Sequence, residues 1–309
     1  MSKITICTTT YNREHLLPRT VNSVLSQSFM DFDYLIINNG STDNTQDIIN
    51  NYCKKDSRIR TILFKENRKS IDLVNERFQL IKKNTALYYM IIDDDDFMEP
   101  NTVEKLFNLI TKYNADIACV GSKHIFEDGT MRDKFVFDGI FIYNRVEAMI
   151  ELLKREKFNA AIGAKLLKKE TLNFPMPNVY PVRDIHTSYR RINTIQKMVV
   201  SGEPLYYFYR HNNNNSGLDS SENITPEKLK QHLEANKIRT EWLTEHMPEI
   251  KDYVFYCELS FMISLYERIY RLDVKDCFEI AEDMKKTLLC YKTFLSECGY
   301  LKESEKEIL

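Results

Sequence analysis

Four aspartates in a row, Asp93 to Asp96, follow an apolar run from Leu87 to Ile92. Like charges a few Å apart in a partly dry cleft repel by energies on the order of kcal/mol, so this turn calls for a cation. Hard carboxylate oxygens suit Mg2+ or Mn2+, ions that also grip phosphate oxygens. A strand that is apolar throughout is central and buried on both faces, and ligands of open α/β sheets bind outside the carboxyl ends of such strands. Position and chemistry therefore agree on a metal and phosphate site. The competing reading is a solvated acidic turn before the helix through Val103, where negative charge is mildly favourable. An EF-hand fails: Asp93, Asp95 and Glu104 fill loop positions one, three and twelve, but Phe97 and Met98 stand where an oxygen ligand and the obligatory glycine belong.

The elements that must hold this turn alternate in type. Short β-branched runs at Lys3 to Thr9, Tyr34 to Ile37 and Arg58 to Phe64 are separated by helical patterns at Leu16 to Phe29 and Asp47 to Tyr52. After the third run, Ile71, Val74, Phe78 and Ile81 share one helical face, as do Val103, Leu106, Phe107 and Ile110 after Pro100. Asp116 to Val120 supplies a further strand. This rhythm predicts a doubly wound, mostly parallel α/β sheet. Beyond Glu127 the pattern changes to a hairpin around Asp128-Gly129, a helix near Val146 to Leu153, a proline-rich stretch from Phe174 to Pro181, and a last strand at Leu205 to Tyr209. The asparagines at 212 to 215 with Ser216-Gly217 mark a boundary, giving domains 1–217 and 218–309. The second reads as all helical, with Thr225 as N-cap and Pro226 at the first helical position.

Four segments, in this order and spacing, resemble the family 2 inverting glycosyltransferases that use nucleotide sugars and have the GT-A fold. They are TTTYNRE at Thr8 to Glu14, SVLSQSF at Ser23 to Phe29, NNGSTDNT at Asn38 to Thr45, and IIDDDDFMEP at Ile91 to Pro100. The resemblance covers roughly residues 3 to 211.

It implies roles residue by residue. Thr9, Tyr11 and Arg13 would face the nucleotide. Asn39 stands where the family usually carries an aspartate that accepts the uracil N3 proton; an amide oxygen can accept it too, but adds an NH2 donor and no charge. Uridine is the first expectation for the base. Gly40 to Asp43 read as turn and cap chemistry. Arg68 and Lys69 would contact the nucleotide, or be solvated charge. In the aspartate run, Asp93 contacts ribose or metal, Asp94 the substrate, and Asp95 is the direct metal ligand; Asp94 with Asp96 is the alternative register. Asp184 matches the family's general base, with Arg183 replacing the usual acidic neighbour. Arg210 or His211 would face the diphosphate, and His211 would be a further metal ligand. The segment around Lys165, Phe158 to Glu170, resembles one that lines the acceptor side. The implied activity is metal-dependent, with Mn2+ or Mg2+, transfer of a hexosyl or N-acetylhexosaminyl group from a UDP-sugar to a glycan or lipid-linked glycan in bacterial surface polysaccharide synthesis.

Composition sets outer limits. With 43 Lys+Arg against 45 Asp+Glu, the chain lacks the basic footprint of a nucleic-acid binder. Seven cysteines, none in a CxxC, suggest neither a disulfide framework nor a zinc site. The start lacks a signal peptide's apolar region and no run approaches the roughly 20 residues that span a bilayer, so a cytoplasmic protein is expected, with the inner membrane face as an alternative. The aromatic stripe Tyr253, Tyr256, Phe261, Tyr266 and Tyr270 fits packing or a homodimer through the C-terminal helices better than peripheral membrane contact. Two other functions compete: a silent homologue that binds nucleotide sugars, motivated by Asn39 and Arg183, and a metal-dependent nucleotidyltransferase. The latter wants a glycine-rich loop that TTTYNRE does not have.

Overall fold

A computed structural model describes residues 2–68, 70–174, 183–211, 218 and 221–308. The chain divides into two compact units, Met1–Asn212 and Asn213–Leu309.

The first unit begins β1 (Ile4–Thr10), α1 (Leu17–Leu25), β2 (Phe32–Asn38), α2 (Thr45–Lys55), β3 (Ile59–Leu63), α3 (Ser70–Lys83), β4 (Tyr88–Ile91), β5 (Phe97–Met98) and α4 (Thr102–Lys112). It continues β6 (Ile117–Phe126), β7 (Met131–Lys134), β8 (Ile140–Asn144), α5 (Arg145–Lys154), β9 (Lys165–Lys168), α6 (Arg183–Ile192) and β10 (Lys197–Arg210). The sheet runs β3-β2-β1-β4-β9-β6-β10, with β5 and β8 against β10 and β7 against β6. Pairing is parallel from β3 through β4 and between β6 and β10. Antiparallel β9 sits between β4 and β6. The sheet is thus mixed: crossover helices fix the first half as parallel, whereas β9 is inserted from the far side of the chain.

The apolar faces of α1 and α4 are buried. Leu17, Val21 and Val24 of α1 and Val103, Leu106, Leu109 and Ile110 of α4 join Ile4, Ile6, Ile36, Met90 and Ile92 in one core. The hairpin forms at Gly129, where β6 meets β7. Asn144 caps α5 through a reciprocal box with Glu147.

The last strand is far longer than Leu205 to Tyr209, and its register shifts between Val200 and Tyr206. Gly202 lies in that irregularity, where an added Cβ would collide with the Phe137 backbone. Because backbone cannot yield as a flexible side chain does, Gly202→Ala should cost about 2 to 4 kcal/mol. Thermal unfolding within a degree or two of the parent would contradict this reading of the bulge.

The second unit contains α7 (Pro226–His246), α8 (Lys251–Arg271), α9 (Phe278–Cys290) and α10 (Lys292–Glu297). Thr225 does cap α7, accepting from Lys228 N–H. The tyrosines of the stripe pack within this unit: Tyr253 and Tyr256 against Tyr300, and Tyr270 against Phe278. The proline-rich stretch beyond Phe174 and the asparagine run fall outside the described residues. Among the described residues no helix is long and apolar enough to cross a membrane.

Candidate active site

Three loops meet at the carboxyl ends of β1, β2 and β4. After β1, Asn12 adopts a left-handed conformation (φ 52°), which turns its side chain toward the loop after β2. Its Oδ1 accepts from Thr42 N–H at 2.8 Å and its N–H donates to Ser41 Oγ at 3.0 Å. Arg13 N–H donates to Thr45 Oγ1 at 2.9 Å, and Glu14 takes two bonds from Asn44. Gly40 to Asp43 are therefore turn and cap residues, as their types suggested. Thr9 is half-buried, and Tyr11 is left with 38% of its surface exposed.

Asn39 is not idle. Its Oδ1 accepts Arg68 N–H at 3.1 Å and its NH2 donates to Asn67 Oδ1 at 2.8 Å. The amide bridges the loops after β2 and β3, and the NH2 group that an aspartate would lack is what reaches Asn67. Gly40 next to it (φ 77°) has the Glu66 backbone in the space a Cβ would need. Arg68 stacks its guanidinium 3.8 Å above Phe64 and lies 3.8 Å from Glu76. Lys69 lies outside the described residues.

The aspartate run is graded in depth. Asp93 is exposed, Asp94 and Asp95 are half-buried, and Asp96 is buried. Asp94 faces Arg13, 3.6 Å from its Nε. Burial, with the charges of Asp95 and Asp93 adding to it and Arg13 opposing, lifts its carboxyl to about 7. Asp95 Oδ2 lies 3.0 Å from His211 Nε2. Asp96 turns inward to accept from Tyr206 Oη at 2.7 Å and Tyr209 N–H at 3.0 Å. Burial, and then the neighbouring Asp93 and Asp95, push it well above the usual carboxylate range. Asp94 faces the loop after β1 and Asp96 is bound within the fold, while Asp95 and His211 bring two donor types together. Arg210 instead points to His124, 3.2 Å away.

Residues of α1 and of the second motif brace this turn. Arg19 donates to the Asp95 carbonyl at 2.7 Å while stacking on Tyr209, and Thr20 donates to the Asp96 carbonyl at 2.7 Å. Gln27 bridges the Glu99 carbonyl and Val103 N–H at 2.7 and 2.9 Å. Reading residue types alone did not find Arg19, Thr20, Asn67, Tyr206 or Tyr209. Removing the hydroxyl in Tyr206→Phe leaves buried Asp96 short of a donor and should cost about 1 to 3 kcal/mol. An unchanged denaturation midpoint would show that Asp96 does not depend on that bond.

Asp184 stands exposed in the first turn of α6. It lies within electrostatic reach of Lys165, which is buried at the start of β9. Met90 pairs with Leu166, so Lys165 sits one step further along, at the end of β4 where the aspartates begin. Just before it, Gly163 abuts the Tyr206 ring that holds Asp96. Lys165 and the aspartates thus share one end of the sheet. His186 is buried, its Nδ1 without a hydrogen-bond partner, and reads as a packed histidine.

Residues 5–135, from β1 to the end of β7, match the family described as Glycosyl transferase family 2. Over that span, less than half of the chain, the sequence is similar to the family 2 glycosyltransferases. Similar proteins include the putative teichuronic acid biosynthesis glycosyltransferase TuaG of Bacillus subtilis, 29% identical over 60% of this chain and 69% of TuaG. Glycosyltransferase GlyG of Streptococcus pneumoniae is 25% identical over 67% of this chain and 70% of its own. Against GlyA of the same organism, 29% identical, the match spans only 20% of the longer protein. Crystal structures of S. aureus TarS 1-349, one of them with UDP-GlcNAc, superpose with TM-scores of 0.64 and 0.65, covering 99% of this chain and 83 to 84% of theirs at 15 to 16% identity. That likeness establishes the GT-A fold. The family match contains the loops after β1, β2 and β4, while Lys165, Asp184 and His211 lie beyond it.

Proposed function

We propose that this chain is an inverting glycosyltransferase that moves a sugar from a nucleoside diphosphate, UDP first, to a hydroxyl of a glycan or glycan-bearing carrier. The observation that carries the reading is the pairing of Asp95 with His211 beside the Arg13–Asp94 contact, where the nucleotide loops converge. Among the described residues no three acidic, histidine or cysteine side chains form a closed metal cage. An open pair fits a Mg2+ or Mn2+ ion that completes its shell with phosphate oxygens and water, and the raised carboxyls of Asp94 and Asp96 mark a turn short of positive charge. Asp95 and His211 would hold the ion, with Asp93 beside them. When bound, it supplies charge neutralisation to the departing diphosphate.

The chain's own residues do the rest. Exposed Tyr11 offers a face for the base, and Asn39 keeps the 67–68 segment in place under it. One Oδ1 lone pair of Asn39 remains for uracil N3. Asp184 takes the proton of the acceptor hydroxyl as the new bond forms, the role a single-displacement inversion requires. The likeness to TuaG, a putative teichuronic acid biosynthesis glycosyltransferase, and to TarS, crystallised with UDP-GlcNAc, supports a surface-polymer role and an N-acetylhexosaminyl or hexosyl donor.

Thermal unfolding with UDP, TDP, GDP and CDP, each with and without Mn2+, tests this reading. A ligand that binds only the folded state raises its stability, and UDP with Mn2+ should give the largest rise. No response to any of the four would remove the donor assignment, and a larger response to another base would reassign Asn39. Binding of UDP without turnover of any UDP-sugar would favour the silent homologue.

A further inference from the structure

Behind Lys165 lies a cavity that the donor site does not use. It is lined by Phe158, Asn159, Ala161, Lys165, Ser188 and Arg191, with apolar residues of β6, β9 and β10 behind them. Its inner space, about 20 Å³, admits one water-sized group and opens into about 280 Å³ of unfilled volume toward solvent. Two cations are buried at this cavity: Arg191 is 4% exposed and Lys165 7%. Lys165 Nζ donates to the Ala161 and Gly163 carbonyls. Arg191 lies 5.8 Å from the Phe78 ring and 5.7 Å from the Phe174 ring, and among the described residues its buried Nε has no hydrogen-bond partner. Among the described residues neither cation has a carboxylate within ion-pairing distance.

A buried guanidinium nitrogen without an acceptor is costly, and two cations lining one cavity are costlier, because each disfavours the charge of the other. Burial holds the Lys165 ammonium below its ordinary range, the Cys119 thiol and Asp184 oppose it, and Arg191 adds a smaller push in the same direction as burial. A fold retains such an arrangement when something else supplies the negative charge. Asp184 is exposed and forms no ion pair with either group among the described residues, so its charge reaches Lys165 only from a distance.

We infer that this cavity binds an anionic group of the acceptor, a carboxylate or phosphate oxygen held between Lys165 and Arg191 with Ser188 and Asn159 as further polar neighbours. The inference rests on the transferase reading and adds the class of acceptor, a negatively charged glycan or carrier. It also explains why the cavity lies beside Asp184: an acceptor anchored there by its charge presents a neighbouring hydroxyl to the base.

The test is unfolding of the whole chain in methyl phosphate or in acetate, each against NaCl of equal ionic strength. At ten times its dissociation constant the bound anion should raise the midpoint by roughly 3 to 5 °C. Arg191→Met and Lys165→Met should abolish that rise, while Arg13→Gln, which alters the donor loops, should keep it. A larger effect of methyl phosphate would assign phosphate, and a larger effect of acetate a carboxylate. If Arg191→Met does not fold, Lys165→Met carries the same prediction. A wild-type protein indifferent to both anions, or a rise that survives in the methionine variants, overturns the proposal. No donor, metal or turnover enters these titrations, so their failure is separable from failure of the transferase reading.

Discussion

Asp184→Asn should lower sugar transfer by about 10² to 10⁴, or roughly 3 to 5 kcal/mol in the barrier, while UDP binding with Mn2+ stays unchanged. The separation follows from geometry. Asp184 is in the first turn of α6 and exposed, whereas the loops proposed to hold the nucleotide follow β1, β2 and β4. An asparagine keeps the shape and can still hydrogen-bond, but it cannot take a proton from an attacking hydroxyl. The fold should tolerate the change, since a carboxylate in a first helical turn contributes only about 0.3 to 1 kcal/mol. A variant that keeps more than about a tenth of wild-type turnover would place the base elsewhere. A variant that also loses UDP binding would show that the substitution disturbed the donor site.

Asp95→Ala should remove the effect of Mn2+ on UDP affinity, weakening metal-dependent binding by about a hundredfold or more. Residues that merely support a ligand already contribute about 10- to 100-fold to metal sites, and Asp95 would be a ligand itself. Calorimetric titration with UDP, with and without Mn2+, reads this, and an unchanged metal dependence would take Asp95 out of the site. Asp96→Ala provides the contrast. Its carboxyl accepts from Tyr206 and Tyr209 inside the fold, so its loss should appear first as lower stability. Four adjacent residues of one chemical type thus divide into different roles through the direction in which each side chain points.

That division is not legible in the sequence. Asp93 to Asp96 announce a charge problem because composition and a preceding apolar run suffice to state it, and the loops after β1 and β2 declare themselves by turn-forming residues. Which aspartate is buried depends on Tyr206, 110 positions away, and the identity of a strand residue does not reveal what it faces across a sheet. Likewise β9 is four residues long and begins and ends in lysine; it is a strand because β4 and β6 provide edges on both sides, a tertiary effect stronger than local propensity. Asn39 reads as a departure at a base-binding position, and its bridge to Asn67 emerges only when the loop after β3 folds back on it. Of the residues that brace the aspartate turn, Gln27 lies in the second motif and Arg19 and Thr20 just before it, with nothing in their types to reveal the contact. The helices of the second unit were legible for the opposite cause, since caps, prolines and apolar spacing are local signals.

Whether donor cleavage depends on a cation, as proposed for Asp95, is decided by following UDP release from a set of UDP-sugars with Mn2+ and then with excess chelator. Slow release is expected from at least one of them even without acceptor, abolished by the chelator and restored by added Mn2+. Release that continues undiminished in chelator, or no release from any nucleotide sugar by a protein that binds UDP, would contradict the account.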